Sequence, residues 1–367
     1  MVVSISLAII MQTTDRPAKA SPLALWKWAS IIILIYVFIA GWIVPLKPGI
    51  IAVTPERTIA GKQVILKVKG YNTFFSRDSD QLRAWLRLRG DTVIQSQRIE
   101  VKDDRNAVAV FYVPSAFPFS QDAYPLSLIL DHPTDGSSVL PNAIFVTPAV
   151  VIDSSEVSLW YKDKIEKIHD QAGFRFPFRN ILAETIRNTY FHVPMWFSMI
   201  ILLGISAWYS LRYYRKGKLI DDQKSTAFVK VGLVFGLLGL VTGMLWAKNT
   251  WNAYWSWDVK QNMSAIALLI YAALMVLRSS IDDEMQKARL SAGYNMFAFI
   301  LLIPLLFIIP RMTDSLHPGN GGNPAMGGED LDNTMRIVFY PAVIGWILLG
   351  IWISQLVYRV DILKRNQ

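Results

Sequence analysis

Long apolar stretches divide the chain into parts that can cross a membrane and parts that cannot. Six stretches meet or approach the ~20 residues that a helix needs to span a bilayer: 25–44, 190–211, 228–247, 263–277, 293–310 and 337–358. The apolar run at 1–11 is too short to cross. It also lacks a charged start and a small-residue cleavage site, so we predict no signal peptide, and Met11 is a candidate translation start. The pattern predicts six transmembrane helices.

The region between the first two predicted helices has a different period. Apolar and polar residues alternate along 64–69 and 82–89, and further strand-like runs follow at 92–101, 107–113, 124–131 and 143–152. Alternation with a period of two is typical of half-buried strands. Six short strands predict a small β-sandwich over 48–153, immunoglobulin-like in size. From 155 to 169 the period becomes helical, which predicts an amphipathic helix on the membrane surface within the connection 154–189.

Composition and charge support the membrane interpretation. Hydrophobic residues make up 53% of the chain and charged residues only 18%, against about 25% in soluble domains. The net charge of +9 does not require a nucleic-acid partner, because one set of short loops carries thirteen Lys and Arg and the opposite set only four. The positive-inside rule therefore predicts that the flanks 1–24 and 359–367 are cytoplasmic and the β-sandwich lies outside.

Several classes of chemistry are excluded by what the sequence lacks. There is no cysteine, so disulfides, iron–sulfur clusters, zinc–thiolate sites and covalent haem attachment through Cys-x-x-Cys-His are ruled out. The glycine-rich loop 319–328 lacks the Gly-Lys-Ser/Thr ending of a phosphate-binding loop. Because the chain has no Walker motif, any ATPase that drives transport belongs to another subunit.

Only four histidines are available as metal ligands. His132 falls in a turn of the β-region, where we expect it to be exposed, and His169 ends the amphipathic segment, where a structural or interfacial role is expected. His192 and His317 lie at the ends of two different predicted helices, on the same outer face. Each is also compatible with an ordinary interfacial side chain. As a pair, they offer two imidazoles from separate helices, which suits a six-coordinate haem iron.

Aromatic residues are concentrated between the third and fourth predicted helices. Four tryptophans and one tyrosine occur within 246–257, followed by an aspartate: Trp246, Trp251, Tyr254, Trp255, Trp257 and Asp258. Tryptophan and tyrosine favour the headgroup level, so this cluster is compatible with an aromatic belt. It is equally compatible with a flat platform on which an apolar macrocycle stacks.

Together these residues resemble the CcmC/CcsA family of cytochrome c biogenesis proteins, which is marked by a tryptophan-rich "WWD" segment on the outer membrane face. Trp251–Asp258 matches that segment, and the His-Val-Pro at 192–194 and His317 match its flanking histidines. The resemblance covers about 180–367, and six spans are closer to CcmC than to the longer members. Asn252 and Asn262 depart from the Gly and Thr frequent in the family, and the β-region is an insertion.

The resemblance implies an all-α polytopic membrane protein of the bacterial inner membrane with six transmembrane helices, and the alternating pattern adds an inserted extracytoplasmic β-sandwich. Its five-helix domain would span 190–358, with the WWD loop at 246–262. It implies non-covalent haem b, with His192 and His317 as axial ligands and with Trp251, Tyr254, Trp255 and Trp257 as the stacking platform. Asp258 would be an orienting or docking carboxylate. Arg187 and Arg311 are candidate partners of the haem propionates, because guanidinium matches carboxylate geometry.

The function that the resemblance implies is presentation or export of haem for cytochrome c maturation. The partners would be haem, a haem chaperone or apocytochrome c, and other maturation subunits, including an ABC-type ATPase. Delivery is favoured over catalysis, with a haem-lyase component as the enzymatic alternative. Two alternative functions are also compatible with the sequence. One is an electron-transfer cytochrome b, which usually places its histidines within the spans. The other is a non-haem transporter or structural subunit whose tryptophans form a belt.

Overall fold

The computed structural model describes residues 25–170, 173–317 and 331–365. They form a helical domain and a β-domain that is inserted between the first two long helices. The predictions for the flank 1–24 and for the glycine-rich loop 319–328 lie outside the described residues.

Six helices in the described part of the chain are long and apolar enough to cross a membrane, as predicted. Each predicted stretch lies within an observed helix to within one residue. These six spans contain seven α-helices, because the fifth span is divided into α5 and α6. The α-helices are α1 (Leu25–Ile43), α2 (Thr189–Lys216), α3 (Leu219–Trp251), α4 (Val259–Ser279), α5 (Glu284–Ile303), the short α6 (Ile309–Met312) and α7 (Asn333–Arg365). A π-helical turn, Pro304–Ile308, joins α5 to α6 and completes the fifth span.

Helix α2 lies at the centre of the helical domain and packs against α3, α5 and α7, while α1 packs along α7. Small residues permit the closest contacts. A methyl group built on Gly236 of α3 would come within 2.8 Å of the Met199 sulfur on α2, and one on Gly232 within 2.9 Å of Leu203. Apolar side chains give little hydrophobic drive inside a bilayer, so such close packing is a main source of helix association.

The β-domain contains two sheets that enclose one apolar core, so the predicted sandwich is present. One sheet has the strand order β1-β3-β7-β6 and the other β2-β9-β8-β4-β5. Leu66, Leu86, Phe111 and Leu126 are completely buried between them. The strands are β1 (Gly49–Thr54), β2 (Arg57–Ile59), β3 (Lys62–Tyr71), β4 (Arg83–Arg89), β5 (Thr92–Gln95), β6 (Arg98–Asp103), β7 (Asn106–Val113), β8 (Tyr124–His132) and β9 (Gly136–Thr147).

The predicted strand content was incomplete in three places. Strands β1 and β2 were not predicted, and β9 begins at Gly136, seven residues earlier than expected. The predicted single strand 92–101 is two strands in different sheets. The chain changes sheet between Ser96, whose N–H donates to the Ala84 carbonyl, and Gln97, whose N–H donates to the Val110 carbonyl.

The prediction of an amphipathic helix over 155–169 is wrong. The structure has a 3₁₀-helix at Ser154–Tyr161 and no regular helix over 162–169. Two apolar residues of this segment pack in the β-domain, Trp160 and Ile165. Trp160 is completely buried in the sandwich core, and its indole N–H donates to the Ala116 carbonyl at 2.9 Å. The helical period arose because a 3₁₀ turn also places every third residue on one face.

The two histidines of this half of the chain belong to the β-domain. His132 is only 1% exposed, so the prediction of an exposed turn residue is wrong. It ends β8, and its Nε2 lies 2.5 Å from the Arg77 carbonyl oxygen. The Nδ1 of His169 lies 2.9 Å from the buried Asp131 carboxylate, which also binds Arg83. Both of these hydrogen-bond partners, Arg77 and Asp131, belong to the β-domain.

Candidate functional site

A cleft in the helical domain brings together both of the histidines that were predicted as ligands. Its empty volume is about 760 Å³ with the open space at its mouth included. The lining combines residues of α2, α3, the loop before α4, α4 itself, the π-helical turn, α6 and the segment after α6. It comprises His192, Trp196, Ile200, Gly239, Leu240, Gly243, Met244, Trp255, Lys260, Gln261, Ser264, Leu306, Phe307, Pro310 and His317.

His192 is fixed by α3. It lies in the first turn of α2, and its Nδ1 is 3.0 Å from the Gly239 carbonyl oxygen and 3.1 Å from the Thr242 hydroxyl. A carbonyl only accepts, so this contact assigns the ring proton to Nδ1 and leaves the lone pair on Nε2. The edges of Trp196 and Trp246 enclose the ring, at centroid distances of 6.3 and 5.7 Å.

The glycines of α3 form a cradle for this histidine. A methyl group on Gly243 would lie 2.7 Å from Cε1 of His192, and one on Gly239 would lie 2.9 Å from the Trp196 ring. Distances below 3.0 Å are not tolerated without movement of the ring. The imidazole therefore occupies its position because Gly243 has no side chain, and Gly239 gives the same room to the neighbouring Trp196 ring.

His317 is held by a carboxylate. Its Nδ1 lies 2.9 Å from Oδ1 of Asp258, 59 positions earlier in the chain. Asp258 is the N-cap of α4, and it accepts hydrogen bonds from the Lys260 N–H at 2.9 Å, the Leu316 N–H at 2.8 Å and the Ser315 hydroxyl at 3.1 Å. With Nδ1 occupied, Nε2 is the nitrogen that can bind a metal.

Asp258 keeps its negative charge because of these donors. Burial alone raises the pKa of its carboxyl, but the hydrogen bonds from His317, Leu316 and Ser315 outweigh it and bring the pKa well below its ordinary value. The group is only 8% exposed. An ionised carboxylate beside an imidazole also fixes which ring nitrogen carries the proton.

The WWD loop presents its aromatic residues in different directions. Trp255 lines the cleft, and Trp251 contacts His317 edge-on with ring centroids 4.7 Å apart. Trp257 is 79% exposed and Tyr254 is 52% exposed, and neither lines the cleft. The four rings therefore do not form one flat surface in this structure.

Polar side chains hold the loop in an unusual backbone conformation. Asn252 and Trp257 have φ of 58° and 59°, a region that bulky residues rarely adopt. The Gln261 side chain accepts from the Ser256 N–H at 2.9 Å, and the Asn262 amide donates to the Trp257 carbonyl at 2.8 Å. Asn is one of the few residues besides Gly that tolerates positive φ, which explains why Asn252 stands where the family often has Gly.

Comparison with known proteins identifies the helical half of the chain. The CcmC family model, described as Heme exporter protein C, matches residues 174–367, about half of the chain. The chain belongs to this family. It is therefore a multi-pass membrane protein of cytochrome c biogenesis, while the β-domain lies outside the matched region.

Relatives are of modest identity. Heme exporter protein C of Bradyrhizobium diazoefficiens is 30% identical over 187 residues, which is 50% of this chain and 68% of that protein. The Escherichia coli K12 protein of the same name is 24% identical over 171 residues, 46% of this chain and 66% of its own length. Cytochrome c biogenesis protein CcsA of Pelargonium hortorum is 34% identical over 118 residues, 32% of this chain and 36% of that protein.

The two arginines proposed for propionates have different surroundings. Arg187 is 8% exposed, and its guanidinium donates to the carbonyls of Gly41 and Val44 at 2.7 and 2.8 Å and to the Glu184 carboxylate at 2.6 Å. It joins α1 to α2 and does not line the cleft. Arg311 is exposed on α6, beside the lining residue Pro310.

Sequence reasoning missed several residues of this CcmC-family cleft. Lys260 and Gln261 line it and follow the WWD segment directly. A polar pair at the start of an apolar span was the signal that could have identified them. Gly239 and Gly243 also line it and were missed, because a helical glycine has no distinguishing pattern until the partner helix is known. The indole N–H of Trp246 is buried without a hydrogen-bond partner among the described residues.

Proposed function

We propose that this CcmC-family protein binds haem b non-covalently in the cleft and presents it for transfer to a haem chaperone or apocytochrome c. The observation that carries the proposal is the pairing of two histidines, from separate elements, on one largely apolar cleft. Each has its Nδ1 engaged by a hydrogen bond, which leaves Nε2 for a metal. Haem would supply the iron that these nitrogens ligate.

The other residues of the cleft fit a planar, largely apolar cargo. Trp255, Leu306 and Phe307 supply apolar surface, and the glycine cradle gives His192 room at the wall. The buried Trp246 N–H is an unused donor beside His192. Trp251 would support the His317 ring, while the exposed Tyr254 and Trp257 would form the rim that a partner contacts. Asp258 would act as the orienting or docking carboxylate.

The propionate groups require cations at the cleft mouth. We assign them to Arg311 and to Lys260, which lines the cleft. Arg187 is a poorer partner than expected, because its guanidinium already serves three oxygen acceptors outside the cleft.

The proposed setting is the bacterial inner membrane. Both flanks would be cytoplasmic, and the β-domain, the WWD loop and the cleft mouth would face outward, as the charges of the short loops favour. Other maturation subunits, including an ABC-type ATPase, would complete the system. An electron-transfer cytochrome b is less well supported, because the only four histidines of the chain are two in the β-domain and two at this cleft.

The test is haem analysis of the purified full-length protein. A pyridine haemochrome assay on wild type should show haem b, and acid–acetone should extract it completely because the chain has no cysteine. His192→Ala and His317→Ala should each alter the spectrum, with partial restoration by added imidazole, and the double variant should retain no haem. His169→Ala, in the β-domain, is the matched control and should match wild type. Unchanged haem content and spectrum in the double variant would refute the ligand assignment.

A further inference from the structure

The two histidines are held by partners of different kinds. We propose that Asp258 is a positioning residue that ties His317 to the start of α4, and that His317 is the ligand through which haem leaves, while His192 stays fixed. The exit half of this inference rests on the proposed haem-binding function. The positioning half concerns contacts within the chain itself and does not depend on haem.

Several contacts attach His192 to helical structure. It belongs to a 28-residue helix, and its Nδ1 contacts two groups of the neighbouring helix α3. Gly243 lies against its ring, and two tryptophans enclose it. To move this imidazole, α2 must move relative to α3, and these two helices share the most extensive contact in the molecule.

His317 has a single principal support. It lies in a segment without regular structure after α6, and three successive residues of that segment donate hydrogen bonds to the Asp258 carboxylate: Ser315, Leu316 and His317. The edge-on contact with Trp251 is the other support given by the described residues. Loss of one carboxylate therefore removes three of the hydrogen bonds that hold this segment, whereas no single group accepts as many from the residues around His192.

Through the same carboxylate, a contact outside the cleft can change the position of His317 and its strength as a metal ligand. Asp258 directly follows Trp257, whose side chain is 79% exposed. A partner that contacts the outer face of the WWD loop can displace Asp258 without entering the cleft. An imidazole whose proton is shared with a carboxylate is a stronger metal ligand than one bound to a carbonyl. Displacement of Asp258 would then weaken the bond at His317 and leave the bond at His192 intact.

The experiment compares four variants of the full-length protein in detergent. Asp258→Asn keeps an N-cap for α4, because Asn caps as well as Asp, and removes the charge and one of the two acceptor oxygens. Asp258→Ala removes the support completely. Asp314→Asn is the matched control, since Asp314 is exposed in the same segment. Thr242→Val removes the hydroxyl that contacts Nδ1 of His192, and therefore tests the loss of a neutral partner from that histidine.

Two measurements separate the two halves of the proposal. The first is nitrogen NMR of ¹⁵N-histidine-labelled apoprotein, which is tractable because the chain has four histidines. The ring signals of His317 should change in both Asp258 variants, and those of His192 should not. The second is the rate of haem transfer to apomyoglobin, which should rise roughly 10- to 100-fold in Asp258→Asn, and less than about 3-fold in Thr242→Val and Asp314→Asn.

Each result decides one half. Unchanged His317 signals in Asp258→Ala, or equal changes at His192, would overturn the positioning role. Changed His317 signals with an unchanged transfer rate would overturn the exit role alone. A transfer rate more sensitive to Thr242→Val than to Asp258→Asn would assign the exit to His192. If wild type took up no haem, the proposed function and the exit role would fail together, and the NMR result would still decide the positioning role.

Discussion

The most direct test of the cleft is to add one methyl group to it. In Gly243→Ala the new Cβ would lie 2.7 Å from Cε1, 3.3 Å from Nδ1 and 3.6 Å from Nε2 of His192. Ordinary contact begins near 3.4 Å, so the ring must move by about 0.7 Å. That exceeds the ~0.5 Å tolerance within which a binding constellation must be held. Trp196 and Trp246 lie against the ring, so the movement must be toward the cleft.

The expected consequences differ for stability and for binding. Overpacking costs about 1–3 kcal/mol, and Gly to Ala within a helix returns about 0.5–1 kcal/mol. The free energy of unfolding should therefore fall by only about 0–2.5 kcal/mol, and the protein should still fold. Haem retention should fall on the order of 10- to 100-fold, because the displaced nitrogen no longer lies where the iron would be.

Gly293→Ala is the matched control for this substitution. Gly293 is also within a helix, α5, and a Cβ there would meet no atom within 4 Å. It should leave haem content unchanged and raise the melting temperature slightly. Both variants are compared by haem stoichiometry, visible spectrum and thermal unfolding in detergent. If Gly243→Ala kept wild-type haem content and spectrum, the assignment of His192 as a cleft ligand would be wrong, whatever its effect on stability.

Two further predictions concern the β-domain. Residues 48–170 expressed alone should form a soluble β-rich monomer that binds no haem. Their deletion from the full chain should leave haem bound while lowering delivery to cytochrome c; loss of haem from a correctly inserted deletion variant would contradict this separation. Two opposing effects set the pKa of the Asp131 carboxyl. Burial raises it, but the hydrogen bonds from His169 and Arg83 prevail and lower it. The isolated domain should therefore lose stability as the pH falls below about 4, and Asp131→Asn should flatten that dependence in acid-unfolding curves.

The helical half was predictable because the constraint on it is simple. A helix that crosses a bilayer must be about 20 residues long and apolar, and both properties are local to the sequence. The β-domain was predictable only in outline. The division of 92–101 between two sheets depends on which strands lie beside it, and those neighbours are β4 and β7. The buried His132 looked like a turn residue because its sequence neighbours form a hairpin turn, whereas its contacts come from Arg77, 55 positions away.

The residues of the cleft were predictable as types but not as an arrangement. His192 and His317 could be selected because histidines are scarce and these two end apolar spans. The contact between His317 and Asp258 joins positions 59 apart, and the Thr242 hydroxyl beside His192 is 50 positions away. No spacing rule covers such distances. The glycine cradle was also inaccessible, because it is defined by the side chain that another helix places against it.

The division of the WWD loop explains why the motif alone gave an ambiguous prediction. An aromatic belt and a stacking platform each assign all the rings to one environment. The structure instead gives Trp255 to the cleft and Trp257 to the exterior, because the Ser256 backbone between them is bound by Gln261 and the Trp257 carbonyl by Asn262. A carrier needs both an inner surface for its cargo and an outer surface for its partner. One short loop supplies both surfaces, and Asp258 at its end holds His317. Contact of a partner with the outer surface of the loop can therefore act on the cleft through this single residue.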